Sequence, residues 1–355
     1  MSVLKILYAG QATGNGHLTR VRDLAPQLSK RASVDILLSG AQADADIGFG
    51  VRYRREGLPL SFGRSGEVRY IRTLSRLNPR QLLEDIRALS VAQYDIVVTD
   101  FEPVAAWAGY LGRKPVVAVS HQASFLSPKT PRPTITNPVV EAILKWQAPC
   151  THAIGFHFER YDSFIQTPLI RNEIRQANIR NGNHYVAYLP SYGEHVLAKR
   201  LSQIDVEWEV FSRSCTAPHR PHNNVLVSPA CSTRFAASLA GSAGLLTCAG
   251  FQSPSEALFL GKKLLVIPMR GHYEQRCNAM ALRGLGVPVL HWLNPSRIEA
   301  WINSPCPQAR NYPDNQSQII DAVIEIAAQS GCGRSYPEAG PSPVASCYHL
   351  PTSRR

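Results

Sequence analysis

The sequence predicts an α/β protein built from two doubly wound domains that face each other across a cleft. Short buried strands alternate with helices along most of the 355 residues, which is the pattern of parallel sheets covered by helices. Glycine-containing loops follow one strand near the N-terminus and another in the second half, at 10–17 and 248–253. In open parallel sheets such loops lie at the carboxyl ends of the strands, where ligands bind. The length is sufficient for two domains with substantial cores.

The first domain is predicted to span 1–168. A strand at 3–9 leads through the first glycine loop into a helix at 18–31, whose apolar residues recur on one face. The elements that follow are strands at 34–38, 94–100, 116–119 and 151–158, and helices at 79–89, 104–111 and 139–146. The proline-rich 126–138 is predicted to be an irregular loop at the cleft, and 166–171 the crossing into the second domain.

The second domain is predicted to span 169–329. Its strands are expected at 184–189, 206–211, 225–228, 244–246, 263–267 and 287–291, and its helices at 194–201, 233–240, 253–260, from 278 onward and at 316–329. The last helix is expected to pack back across the domains. The tail, 330–355, is rich in Gly, Pro and Ser without periodicity, which predicts disorder.

One strand–helix–strand unit of the second domain has the features of a phosphate site. Gly250 allows a tight turn, and the segment SPSE at 253–256 has the hydroxyl cap, first-turn proline and acid that begin a helix. Free backbone N–H groups at such a start bind phosphate. After the next strand, Glu274 and Gln275 place an acid and an amide at the same edge, which suits sugar hydroxyls. Together these features predict a nucleotide-sugar site.

The segment AGFQSPSEALFLGKKLLVIPMRGHYEQRCNA at 249–279 resembles the donor-binding signature of GT-B glycosyltransferases. It is most similar to the group that includes the N-acetylglucosaminyltransferase of peptidoglycan synthesis and uncharacterised prokaryotic relatives. The resemblance implies a GT-B fold of two Rossmann-like domains, with a UDP-sugar as co-substrate and neither cofactor nor metal. It also implies that Glu256 holds the ribose and that Gln275, with Glu274, holds the sugar hydroxyls. The expected donor-site residues are Gly250, Phe251, Gln252, Ser255, Glu256, Glu274 and Gln275, with Ser191 and Tyr192 in a loop facing the diphosphate.

The first glycine loop ends in a candidate catalytic histidine. Its sequence, GQATGNGH at 10–17, lacks both the G-x-G-x-x-G of dinucleotide sites and the G-K-[ST] of P-loops. His17 is either a helix-start histidine bonded to nearby backbone or the base that activates an acceptor hydroxyl, and the resemblance implies the second. Asp100, at the carboxyl end of another strand, either caps the next helix or orients and charge-balances His17. We expect His17 and Asp100 to be catalytic, with Gly14 and Gly16 shaping the loop.

The acceptor is expected on the first domain. Glu102, His121 and Gln122 follow strand ends and are candidate acceptor or sugar contacts. Between 52 and 80 the chain carries eight arginines with interleaved aromatic residues, which suits phosphate contacts and stacking. A solvated arginine-rich surface is an equal alternative. The candidate contacts from this region are Arg64, Arg69 and Arg72.

The composition of the chain indicates its binding partner and its location in the cell. The formal net charge of +12 favours an anionic partner, such as an envelope glycan, a lipid phosphate or DNA. The eight cysteines include no CxxC pair, which is typical of reduced cytosolic thiols. The N-terminus lacks a signal-peptide pattern, and no apolar run approaches the ~18 residues of a membrane span. We therefore expect a cytoplasmic protein, either peripheral at the inner face of the membrane or associated with DNA.

These observations predict an inverting glycosyltransferase whose acceptor is a cell-envelope glycan or lipid carrier. A DNA glycosyltransferase that acts on hydroxylated bases fits the charge equally well. A sugar-nucleotide 2-epimerase would share the fold and donor site but need no acceptor. A non-catalytic sugar-nucleotide-binding protein would retain Glu256 and Gln275 but have little use for His17 beside Asp100, so the presence of both sets favours catalysis.

Overall fold

The computed structural model describes residues 3–12, 15–40, 47–57, 78–331 and 346–347. These residues form two largely parallel sheets, one of eight strands and one of six, with helices connecting successive strands. The prediction of an α/β protein with two Rossmann-like, doubly wound domains is confirmed.

The first sheet is built from short apolar strands, several of them buried along their whole length. Seven of its eight strands are β1 (Lys5–Gln11), β2 (Ser33–Ser39), β3 (Val51–Arg55), β4 (Ile96–Asp100), β5 (Val116–Ser120), β6 (His152–Phe156) and β7 (Ile165–Gln166); the eighth is the short strand Ser346–Cys347, which pairs with β6. They are connected by helices α1 (Asn15–Ser29), α2 (Pro79–Ala88), α3 (Pro103–Leu111) and α4 (Pro138–Trp146) and a 3₁₀ turn (Gln122–Leu126). Asn78, Glu102 and Asn137 cap α2, α3 and α4 through side-chain oxygens, and a proline follows each cap.

The strand order of this sheet is β6-β5-β4-β1-β2-β3, and neighbouring strands are parallel. The order therefore reverses between β1 and β4, where Gly10 lies opposite Asp100. At such a switch point the connections leave towards opposite faces of the sheet and open a crevice at the carboxyl ends of the strands. The crevice of the first sheet is thus bordered by the segments that follow β1 and β4.

The second sheet repeats this design. Its strands are β8 (His184–Tyr188), β9 (Glu207–Ser212), β10 (His219–His222), β11 (Val225–Pro229), β12 (Gly244–Thr247) and β13 (Lys263–Val266). Its helices are α5 (Asn172–Arg175), α6 (Glu194–Leu201), α7 (Ser232–Gly241), α8 (Gln252–Phe259), α9 (Tyr273–Gly284), α10 (Pro295–Ile302) and α11 (Gln316–Gly331). The order is β10-β11-β9-β8-β12-β13, with β10 antiparallel to β11, so the switch point lies between β8 and β12.

The domains also pack directly against each other. Helix α11 contacts α1, and Ile319 and Val323 of α11 belong to the same hydrophobic cluster as Val21 of α1. The last helix thus packs back across the domains, as the sequence predicted. On the other side, α4 and the 3₁₀ turn pack on α9 through a cluster that contains Leu144 and Tyr273.

Several local predictions were wrong. Val51–Arg55 forms β3, a strand that was not predicted, because its residues alternate between partly exposed and exposed and give no apolar run. Helix α9 begins at Tyr273, capped by His272, and not at 278. The predicted strand at 287–291 contributes a single isolated bridge among the described residues, between Val266 and Val289, and α10 and β10 were not predicted.

The tail is described only in part. Beyond the end of α11, the described residues are Ser346–Cys347, a short strand that pairs with β6. The predicted disorder of 330–355 is therefore wrong at the end of α11, which extends to Gly331, and at Ser346–Cys347. Residues 332–345 and 348–355 lie outside the described residues, so for them disorder stays a prediction. In the ranges that the structure describes, none of the helices is both long and apolar enough to cross a membrane.

Candidate active site

The crevice of the first sheet brings together a histidine, an aspartate and an arginine. Asp100 is the last residue of β4, and α1 carries His17 in its first turn. His17 Nδ1 lies 2.8 Å from Asp100 Oδ1. Arg20, one turn further along α1, donates from Nε to Oδ2 at 2.7 Å and from Nη2 to Oδ1 at 2.9 Å. The structure thus brings His17 and Asp100 into contact and adds Arg20, which the sequence analysis did not single out.

A glycine allows this contact. A Cβ atom on Gly10 would lie 2.7 Å from Cγ2 of Val21, so only glycine lets α1 approach β1 this closely. Gly16, in the first turn of α1, has room for a Cβ, whose nearest neighbour would be Arg20 Nη1 at 3.7 Å. Gly14 lies outside the described residues, so its predicted role in the loop stays a prediction.

Asp100 and Arg20 form a buried ion pair beside the part-buried His17. Burial by itself would raise the pKa of Asp100, but the charges and hydrogen bonds of Arg20 and His17 outweigh it and hold that pKa below its usual range. Burial likewise opposes the charge of Arg20, but Asp100 raises the pKa of the guanidinium. Within the described residues, the recorded hydrogen bonds of His17 all use Nδ1. A proton on Nδ1, donated to Asp100, leaves Nε2 as the unprotonated nitrogen that can act as a base.

The crevice of the second sheet contains an uncapped helix start. Helix α8 begins directly after β12, with Phe251 as its N-cap residue and without a side-chain cap. The predicted cap, Ser253, lies inside the first turn instead, and Ser255 Oγ donates to the carbonyl oxygen of Phe251. The backbone N–H groups of this turn, which follows Gly250, suit an anionic ligand such as a phosphate.

Glu256, predicted to hold the ribose, forms a buried ion pair. Arg171 donates to it from Nε at 2.6 Å and from Nη2 at 2.8 Å, and Gln252 adds a hydrogen bond at 2.7 Å. Glu256 has no exposed surface. The same guanidinium donates to Ser232 in the first turn of α7, so Arg171 contacts side chains of two helices, in the second turn of α8 and at the start of α7. Arg171 lies in the predicted domain crossing, where no local sequence pattern marks it as part of a site.

Glu274 and Gln275 lie in the first turn of α9 and have different surroundings. Gln122 of the first domain donates to Glu274 Oε2 at 3.1 Å, and the Glu274 side chain is 22% exposed. Burial would raise the pKa of Glu274, but His121 and other neighbouring groups outweigh it and lower that pKa. Gln275 is buried and accepts from the backbone N–H of Met269 at 2.9 Å. Glu274 therefore borders the cleft, whereas Gln275 holds the loop before α9.

His121 bridges the two domains. Its Nδ1 is 2.8 Å from the carbonyl oxygen of Phe156, and its Nε2 is 3.0 Å from Asn278 Oδ1 in α9. Its ring stacks on Phe251, with centroids 4.0 Å apart. Burial lowers the pKa of His121, although the charge of Glu274 acts in the opposite direction. The predicted acceptor contact is thus a buried interdomain contact against the N-cap residue of α8.

Glu102, another predicted acceptor contact, is the N-cap of α3. Its carboxylate accepts from the N–H groups of Val104 at 3.0 Å and Ala105 at 2.7 Å and from Ser39 Oγ at 2.8 Å. Burial raises its pKa to about 7, although the backbone donors act in the opposite direction. Because Glu102 has no exposed surface, the structure gives it a capping role and no access to the cleft.

A cavity of about 240 Å³ lies at the carboxyl ends of β8 and β9 and includes the predicted Ser191 and Tyr192. Tyr188, Phe211 and Arg213 also line it. Because β8 borders the switch point, this cavity and the start of α8 lie on neighbouring strands of one sheet. Aromatic walls and an arginine suit a planar, hydrogen-bonding group such as a nucleobase.

The arginine-rich region is described only at its ends. Arg64, Arg69 and Arg72 lie outside the described residues, so their predicted contacts with an acceptor remain predictions. In the described part, Arg52 pairs with Asp35 at 2.9 Å and Arg55 with Asp85 at 3.5 Å. These two arginines of β3 are therefore bound to acids of their own domain.

Comparisons with known proteins cover almost the whole chain. The sequence model of glycosyl transferase family 1 matches residues 4–304. No curated protein sequence matches the chain at a significant level.

Solved structures of GT-B glycosyltransferases are similar to this chain over almost their whole length. A UDP-glucosyltransferase from Polygonum tinctorium, capable of glucosylating indoxyl, gives a TM-score of 0.58 at 17% identity and covers 93% of this chain and 94% of its own. MurG from Acinetobacter baumannii gives 0.56 at 12% identity, covering 91% and 99%. CalG4, the calicheamicin glycosyltransferase, gives 0.55 at 17% identity, covering 95% and 100%. At these identities the likeness establishes the fold.

Proposed function

Since the chain belongs to glycosyl transferase family 1, we propose that it moves a sugar from a UDP-sugar to an acceptor hydroxyl and inverts the anomeric configuration. The observation that carries the proposal is the pair His17–Asp100 at the switch point of the first sheet. The uncapped start of α8 at the switch point of the second sheet supports a diphosphate donor. One sheet thus offers a base and the other an anion site.

In the proposed reaction, His17 Nε2 accepts the proton of the acceptor hydroxyl. The hydroxyl oxygen attacks the anomeric carbon from the face opposite to the nucleotide, and a new carbon–oxygen bond forms. The bond between that carbon and the diphosphate oxygen breaks, and the diphosphate leaves with the electron pair. Asp100 stabilises the imidazolium through its oxygen at 2.8 Å from Nδ1. A single displacement of this kind inverts the configuration.

The donor is proposed to lie across the second sheet. Its base enters the cavity that contains Tyr192, its diphosphate binds at the start of α8, and Glu274 contacts the sugar. Arg171, which is ion-paired with Glu256 of α8 and hydrogen-bonded to Ser232 of α7, adds a guanidinium group between these two helices. Glu256 stays the ribose contact that the resemblance implies, and because its carboxylate has no exposed surface, a ribose would have to displace one of the three hydrogen bonds that it accepts from Arg171 and Gln252. Helix start and arginine stabilise the leaving diphosphate without requiring a metal ion.

The test of this mechanism is His17→Ala, with His222→Ala on β10 as the matched control. Loss of a general base costs roughly 10²- to 10⁴-fold in rate, so kcat with a UDP-sugar is expected to fall by that factor. The dissociation constant of UDP, measured by isothermal titration calorimetry, is expected to stay unchanged. His222→Ala changes neither quantity. Undiminished turnover of His17→Ala would remove His17 from the mechanism.

The acceptor is proposed to be anionic, an envelope glycan or a lipid-linked carrier, because the chain has a formal net charge of +12. A lipid-linked acceptor would make the protein cytoplasmic and peripheral at the inner face of the membrane. Mass spectrometry of glycan, lipid and DNA pools after incubation with a panel of nucleotide sugars identifies the acceptor class. Conversion of the donor to an epimer in the absence of any acceptor would instead identify a 2-epimerase.

The same net charge favours DNA with hydroxylated bases as a second candidate acceptor. Each phosphate that a protein neutralises releases counterion, so binding to DNA weakens steeply as salt rises. A gel-shift titration over a range of salt concentrations measures this slope. A flat response would exclude a DNA acceptor that binds through phosphate contacts.

A further inference from the structure

Arg20 is placed where it can control the proton of His17. It follows His17 by one turn of α1 and is 5% exposed. Its Nε donates to Asp100 Oδ2 at 2.7 Å, and its Nη2 donates to Oδ1 at 2.9 Å. The same Nη2 lies 3.0 Å from His17 Nδ1. The three side chains form a closed triangle in which Nδ1 of His17 has two alternative partners.

These contacts determine which ring nitrogen of His17 carries the proton. With the proton on Nδ1, the ring donates to Asp100 Oδ1, and Nε2 is free to act as a base. With the proton on Nε2, Nδ1 has to accept from Arg20 Nη2, and the base is lost. The Nη2 group has two N–H bonds and can reach both partners, so the two arrangements make equal numbers of hydrogen bonds; the first is favoured because the Nδ1–H then donates to a carboxylate at 2.8 Å, a shorter, charge-assisted contact.

The charge of Arg20 also offsets that of Asp100. A lone buried carboxylate 2.8 Å from an imidazole would strongly favour the protonated ring. With the guanidinium bound to the same carboxylate, the pair has no net charge, and a cation 3.0 Å from Nδ1 opposes a second positive charge. We propose that Arg20 is a positioning residue that holds His17 in the Nδ1–H tautomer and keeps Nε2 unprotonated until the acceptor hydroxyl arrives. This inference rests on the proposed role of His17 as the base.

Other titratable groups also face this triangle. Tyr8 on β1 is neutral, because burial and the charge of Asp100 raise its pKa well above its usual value. Asp23 on α1 acts on Tyr8, and Glu274 lies across the cleft, where its carboxylate interacts with His17. A substitution of Arg20 leaves all of these groups in place, so its effect on His17 can be measured separately.

The test compares Arg20→Met and Arg20→Lys with Arg22→Met, which removes the same charge from an exposed position on the same helix. Two midpoints are measured: the pH at which His17 takes up a proton, by ¹⁵N NMR of the imidazole, and the acidic limb of kcat/KM. Arg20→Met is expected to raise both by about one unit or more, because the charge of Asp100 is no longer offset. Arg20→Lys keeps both midpoints but lowers the plateau rate, because the bidentate contact is lost. Arg22→Met changes neither midpoint.

A folded Arg20→Met variant that loses rate equally at every pH, with an unchanged NMR midpoint, would overturn the inference. A shifted NMR midpoint without a matching shift of kcat/KM would uphold the role of Arg20 and remove His17 as the base, so the two proposals fail separately. If Arg20→Met does not fold, Arg20→Gln makes the same change in charge and retains an N–H donor for Asp100. It is judged by the same two midpoints.

Discussion

We predict that the buried pair of Arg171 and Glu256 contributes to the free energy of unfolding as one unit, so that substitutions of the two residues have non-additive costs. Arg171 lies in the segment that connects the domains and Glu256 in α8, so the pair ties the crossing to the helix of the proposed donor site. The perturbations are Arg171→Met, Glu256→Gln and the double variant. Methionine retains much of the aliphatic stem of arginine, and glutamine retains the shape of glutamate.

The structure makes each single substitution costly. Glu256 has no exposed surface and Arg171 is 8% exposed, so solvent cannot stabilise the charge that remains. Loss of one partner of a buried pair typically costs about 3–5 kcal/mol. After Arg171→Met, Glu256 retains a hydrogen bond from Gln252, at 2.7 Å. The double variant contains no uncompensated charge at this site, so its cost should stay near that of one single variant, which gives a coupling energy of about 3 kcal/mol.

Urea unfolding followed by circular dichroism gives the four free energies of this double-mutant cycle. Arg175→Met is the matched control, because Arg175 donates to the backbone carbonyl oxygens of Ile170, Tyr312 and Pro313 and not to a carboxylate. Its cost is expected to add to that of Glu256→Gln. If the costs of Arg171→Met and Glu256→Gln add within about 0.5 kcal/mol, the reasoning is refuted.

Two further predictions concern the nucleotide and pH. Arg171→Met should weaken UDP binding by about 10- to 100-fold, because a charge-assisted contact with the diphosphate, of roughly 1.5–3 kcal/mol, is lost. The affinity for uridine, which has no phosphate, should stay unchanged. Equal losses of affinity for UDP and uridine, measured by calorimetry, would contradict a phosphate contact. For Glu102, burial raises the folded pKa to about 7, above the ordinary value of 4.5, so the folded state holds the proton more tightly. Stability therefore falls as the pH rises from 4.5 towards 7, by up to about 3 kcal/mol. Glu102→Gln should lack this contribution, and parallel urea-unfolding profiles for the two proteins across that range would count against it.

The proximity of His17 and Asp100 could be predicted from the sequence because topology alone brings them together. One residue follows β1 and the other ends β4, and these strands are neighbours at the switch point of the sheet. The same argument located the start of α8. Strands such as Val116–Ser120 were found because a strand buried along its whole length has an uninterrupted apolar run.

The arginine partners could not be predicted in this way. Arg20 and Asp100 are 80 positions apart, and Arg171 and Glu256 are 85 apart. An arginine on a helix or in a connecting segment has the same local sequence pattern whether it is solvated or bound to a buried carboxylate. For Glu102 the sequence pattern was visible but fitted two roles, because an acid just before a helix can either cap the helix or contact a ligand. The complete burial of Glu102 in the structure identifies it as a cap.

The two switch points share an arrangement that bears on function. Each has a buried carboxylate bound bidentately by an arginine, Asp100 by Arg20 and Glu256 by Arg171. A buried ion pair gives little stability relative to apolar side chains of the same volume, so stability alone does not account for two such pairs at the sheet edges where ligands are proposed to bind. An ion pair holds both of its side chains in fixed positions, so a charged ligand or a protonated histidine next to the pair can interact with either the arginine or the carboxylate. We therefore expect Arg171→Met to impair donor binding without moving the pH profile, and Arg20→Met to move the pH profile without changing donor affinity. A variant that altered both readouts would show that the pairs are coupled through the packed interface between the domains.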